Sequence, residues 1–116
     1  MNKNTHQLIH YEDFDKVHIC VGTIIQAKAN EQAKKPAFIL EIDFGPLGTK
    51  TSSAQITEHY DVNSLIGQQI IAVMNFPTKR IAGIKSEVLV LASVSAEKGT
   101  VLMQPTMTVP NGSRIS

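Results

Sequence analysis

The apolar residues of this chain come in short runs, and turn-forming residues close nearly every run. HICVGTIIQAKA (18–29), AFILEIDF (37–44), QIIAVMNF (69–76), EVLVLASV (87–94) and TVLMQP (100–105) are rich in β-branched residues, and Gly, Pro or Asn separates or follows most of them. Runs of this length and composition between turn signals read as strands, not helices. A long-helix architecture is therefore excluded.

Between these runs the sequence predicts little helix. Tyr11, Phe14 and Val17 or His18 recur at helical spacing among acids, predicting a short helix over 11–16. TEHYDVNSLIGQQ (57–69) has no sustained alternation, with Thr57 as a candidate cap and Gly67 as a stop, and reads as a short helix or irregular link. KKP and GPLG bound the second run, and a short strand around Lys50–Ser53 should pair back onto it. Gly22 lies inside the first run, where a glycine often marks a bulge or a barrel corner. Five or six short strands with one helical link after the third predict a mainly β fold, a five-stranded Greek-key barrel of the OB type. A sandwich is compatible with the same strand count.

In EVLVLASV both alternating sets are apolar, and IIAVM repeats the pattern. A barrel strand with one face in water should alternate with polar residues. Either the chain's own termini cover the outer face or a second subunit does, and the expected arrangement is a homodimer. The 116 residues form one domain, with residues 1–10 expected to fray and 11–116 to make the barrel.

Composition limits location more than function. No apolar run approaches the roughly 20 residues of a membrane helix, so no membrane insertion is expected. MNKNTHQLIHYEDF is too polar for an export leader, and the single cysteine, Cys20, precludes an internal disulfide. The expected compartment is the cytoplasm. Net charge is only +1, yet no acid occurs between Asp61 and Glu87, the interval that carries Lys79, Arg80 and Lys85. A near-neutral protein with one basic stretch can still bind phosphate locally.

The ordered set SSAQIT (52–57), NFPTKRIAGIKSEVLVL (75–91), VLMQP and VPNGSRI closely resembles the CsaA proteins, within the wider group of OB-fold tRNA-binding domains. The resemblance runs from about Asp13 to Ile115. It implies an OB barrel whose N- and C-terminal extensions mediate dimerisation, and binding of tRNA or other structured RNA by shape more than by base sequence. It also implies, as an alternative, a chaperone that holds unfolded preproteins for protein export. Matched to the family's RNA-contacting loop are Arg80, Gly83, Lys85 and Ser86, and matched to its SSAQ motif are Ser52, Ser53, Ala54 and Gln55. Leu89 stands where many synthetase-linked members carry methionine.

The residue types suit that chemistry. Arg80 can grip a phosphate with a bidentate fork, while Lys79 and Lys85 act as mobile point charges. Ser86, Ser52 and Ser53 could reach a phosphate or 2′-hydroxyl, and Asn75 and Gln55 could meet a base edge. With two tyrosines, four phenylalanines and no tryptophan, the chain is expected to read RNA backbone instead of stacking a single strand. Phe14 and Phe76 are expected in the core. A solvated hairpin kept basic to block edge pairing is the plain structural reading of the cations, and a polar turn that of SSAQ. Met74, Met103 and Met107 could line a peptide groove, although core filling is the expected role.

Nothing in the sequence assembles a catalytic site. Ser86 and Lys85 are strand neighbours that point to opposite faces, and His6 and His10 share an i,i+4 spacing only in the fraying end. Cys20 reads as a buried apolar residue. No metal and no cofactor are expected, and the chain is not expected to be an enzyme.

Overall fold

In the computed structural model, residues 7–116 are described. Tyr11–Asp15 forms the short helix α1, with Glu12 and Asp13 in its first turn, where acids complement the helix dipole. It buries no residue. Most of the expected fraying end, His6 included, lies outside the described residues.

Strand β1 spans Ile19–Ala29, and its two halves serve different neighbours. From Ile19 to Thr23 it pairs antiparallel with β4 (Gln69–Val73), and from Thr23 to Ala29 with β2 (Phe38–Asp43). The register slips between Ile24 and Gln26. The bulge therefore falls at Ile25, not at the glycine the sequence suggested. Gly22 has a different task, because a Cβ there would lie 2.6 Å from the Phe44 ring. Its missing side chain lets Phe44 pack against the strand.

Strand β3 (Thr49–Ala54) returns on β2, and the sheet order is β3-β2-β1-β4-β7, with β7 at Leu89–Val90. Near closure comes from the segment just before β7. The Glu87 N–H donates to the Thr51 carbonyl over 2.8 Å, and Ser52 Oγ donates to the Val88 carbonyl over 3.0 Å. Helix α2 (Val62–Leu65) is capped by Asp61, whose carboxylate accepts the Ser64 N–H at 2.8 Å. Thr57 is not the cap. Leu65, Ile24, Leu40, Ile42, Phe44 and Ile70 are fully buried and fill the barrel, each such aliphatic or aromatic side chain stabilising the fold by about 1.5–3 kcal/mol.

EVLVLASV, with QIIAVMNF one of the two strongest strand signals in the sequence, is broken in two. After β7 the chain passes Leu91 and forms β8 (Ala92–Ser95), which pairs only with β9 (Gly99–Leu102) in a separate hairpin. That hairpin leaves Val94 76% exposed. The C-terminal extension docks on its own barrel, Gly112 donating to the Val21 carbonyl and Ile115 to that of Ile19, 2.8 Å each. Asn111 Oδ1 accepts from Thr23 Oγ1 at 2.7 Å and fixes the turn. No described helix is long and apolar enough to cross a membrane.

Candidate nucleic-acid interface

The connection between β4 and β7 folds into its own hairpin, β5 (Lys79–Ile81) and β6 (Ile84–Ser86). Its two-residue turn, Ala82–Gly83, has positive φ at both positions, +46° and +88°. Turns of this hand match the twist of paired strands, and glycine adopts the second position without strain. The turn rests on the β1–β2 loop, where Asn30 Nδ2 donates to the Ala82 carbonyl over 3.4 Å and Gln32 crowds Gly83. Asn30 is itself buried.

Pairing places Arg80 opposite Lys85 and Lys79 opposite Ser86. Lys79, Arg80 and Lys85 are exposed, and among the described residues none of them makes an ion pair. Like charges directly across a hairpin repel. No described acid pairs with Arg80 or Lys85, and nearby Glu87 already spends a carboxylate oxygen on the Thr51 N–H at 2.9 Å, so the repulsion between the two cations leaves this face open to an anion from outside.

The remaining expected site residues divide. Ser86 is buried, and its hydroxyl accepts the Ser53 N–H over 3.1 Å. Ser52 is wholly buried in the bond to Val88. Asn75 donates to the Lys16 carbonyl at 2.8 Å and accepts the His18 N–H at 2.9 Å, so its amide joins the α1–β1 connection to the end of β4. These three hold the scaffold in place. Ser53 is half-buried and Gln55 exposed, and SSA is strand instead of turn.

Sequence reasoning missed other parts of this surface. Lys28 borders the same cleft as Ala82 and Gly83, and the β1–β2 loop exposes Lys34 and Lys35. The KKP run is plain in the sequence, but only the docking of Asn30 and Gln32 on the turn ties that loop to the hairpin. Phe76 is 57% exposed beside the cations, contrary to its expected place in the core, and Phe14 is half-buried. Met74 packs against the core, whereas Met103 and Met107 are exposed.

At Cys20, burial raises the thiol pKa and the nearby Arg114 charge partly opposes the shift. That thiol is not a poised nucleophile. Among the described residues no group of three or more His, Cys, Asp or Glu side chains gathers as a metal site.

A hairpin between the fourth and fifth strands of an OB barrel, beside the β1–β2 loop, lies where such barrels bind oligonucleotides or oligosaccharides, and its unpaired cations favour the class that binds nucleic acid. The sequence pattern of the tRNA binding domain family matches residues 19–114. The chaperone CsaA of Bacillus anthracis superposes with a TM-score of 0.90 at 53% identity, covering 95% of this chain and all of that one. The CsaA chaperone of Picrophilus torridus gives 0.87 at 45%, covering 94% and 100%. A methionine–tRNA ligase of Methanococcoides burtonii is 35% identical over 98 residues, which are 84% of this chain and only 14% of the ligase. The chain thus belongs to the tRNA binding domain family, in its CsaA branch.

Proposed function

We propose that this chain is a non-catalytic, tRNA-binding protein that grips structured RNA with the β5–β6 hairpin. The observation that carries the reading is the unpaired Arg80–Lys85 face on a hairpin held rigid by Ser86 below and Asn30 beside it. Lys79, Arg80 and Lys85 meet phosphates, and Ser53 and Gln55 supply short polar contacts at the edge. Ser52, Ser86 and Asn75 act indirectly, by fixing the strands that present the cations. The protein works in the cytoplasm as a homodimer.

Capture of unfolded preproteins for export is the second reading, supported by the description of both solved relatives as chaperones and by exposed Val94, Met103 and Met107. The two differ in their response to salt. Phosphate contacts release counterions and weaken steeply as salt rises, whereas apolar capture does not. Fluorescence anisotropy with bulk tRNA across a salt series, beside an unfolded preprotein segment, tests the choice. Saturable tRNA binding with a steep negative slope is expected; salt-insensitive capture of the preprotein without tRNA binding would reverse the order.

A further inference from the structure

The inner face of the basic hairpin does not lie flat on the barrel. An open cavity of about 450 Å³ remains between them, walled by Phe76, Ile81 and Leu89, with Lys79 and Glu87 as its charged members. Phe76 is 57% and Leu89 50% exposed. Lining one cavity, they make a shared apolar surface rather than isolated exposures.

Charge selects the occupant. Lys79 lines the cavity, and Arg80 and Lys85 lie on the hairpin that forms its wall. A nucleotide brings an anionic phosphate and a flat apolar face on one unit, which suits this juxtaposition better than a neutral apolar segment. We infer that the cavity takes one unpaired RNA base, stacked on the Phe76 ring, with the adjoining phosphate at Lys79.

This inference rests on the RNA-binding reading and gives it a chemical preference. Folded RNA offers unstacked bases in loops and bulges. One ring holds one base, so the cavity adds a single anchor to a backbone-reading surface instead of building a single-strand platform. Glu87 already accepts the Thr51 N–H, and its carboxylate keeps acceptor capacity for an exocyclic amino group. Adenine, cytosine or guanine therefore fits better than uracil.

The test compares an RNA stem–loop carrying 2-aminopurine in its loop with a fully paired duplex of the same stem. Wild type, Phe76→Ala and Phe76→Tyr are titrated, with circular dichroism to verify folding, which the exposed ring does not control. Wild type should quench the 2-aminopurine. Phe76→Ala should lose the quench and about tenfold in stem–loop affinity, with duplex affinity unchanged, and Phe76→Tyr should restore both. Undiminished quench and affinity in Phe76→Ala overturn the inference, and so does an equal loss on the duplex, which would make Phe76 a support of the hairpin. Stem–loop binding intact beside abolished capture of an unfolded peptide, or beside a lower mass in light scattering, would give the cavity to a peptide or a second copy. The Lys79, Arg80 and Lys85 to Ala triple variant separates the two levels. If it binds duplex like wild type the RNA reading itself fails, whereas a weak triple variant beside a normal Phe76→Ala removes only the base cavity.

Discussion

The Ser53 backbone N–H donates to the Ser86 hydroxyl over 3.1 Å, joining two motifs that lie 33 residues apart. One donor thereby secures the base of the hairpin to β3, and the nearby bond from Ser52 to Val88 ties the same two stretches of chain a second time.

Ser86→Ala should leave the part-buried Ser53 N–H without its partner, and stability should fall by about 1–3 kcal/mol. Urea unfolding measures the loss. The salt slope of RNA binding should not change, because no cation is removed. An unaltered midpoint would deny Ser86 its structural role.

Alanine at Lys79, Arg80 and Lys85 together should weaken tRNA binding and flatten its salt slope by about one for each phosphate left without its cation. Stability should stay within about 0.5 kcal/mol, as for other exposed substitutions. A folded triple variant with unchanged slope would remove the hairpin from the interface.

Two glycines are expected to fail for different reasons. Gly22→Ala drives a Cβ to within 2.6 Å of the Phe44 ring and 2.7 Å of Ile42 Cγ2, an overpacking worth about 1–3 kcal/mol in thermal or urea unfolding. Gly83→Ala strains a position at φ +88° beside Gln32. It should cost about 1–2 kcal/mol and weaken tRNA binding as well, whereas a folded Gly22→Ala protein should keep its affinity.

Cys20 gives the stability a pH dependence. Burial, only partly offset by Arg114, raises its thiol pKa, so the folded protein holds that proton more tightly than the unfolded chain. As pH climbs through the thiol range the unfolded chain ionises first, and stability present at neutral pH declines. Urea midpoints measured from neutral to alkaline pH should show this decline, and a Cys20→Ala protein should show less of it.

Exposed Val94 and Met107, at 76% and 73%, leave apolar surface on the single chain, and the proposed homodimer predicts a doubled mass. Light scattering at micromolar concentration should return about twice the 12.7 kDa chain mass. A monomer mass would reject the dimer.

The sequence by itself determined the strand-rich class, the short helix at Tyr11–Asp15, the helical link near Val62–Leu65 and the location of the cations, because these depend on local periodicity, turn residues and charge spacing. The family resemblance in SSAQ and NFPTKRIAGIKS was equally legible, since a motif is carried by residue order. Tertiary structure alone decided which polar groups are engaged by the chain itself. Ser52, Ser86 and Asn75 look like ligand contacts in the sequence but are spent on Val88, Ser53, and Lys16 with His18, partners 33 to 59 residues away for all but a minor second bond from Ser52 to the neighbouring Ser53. It also split EVLVLASV between the barrel and the outer hairpin, because a run apolar on both faces carries no alternation to say which neighbour each part will pair with. Phe76 follows the same rule: its apolar ring predicts burial, but its place just ahead of a hairpin that stands off the barrel leaves it exposed beside the cations.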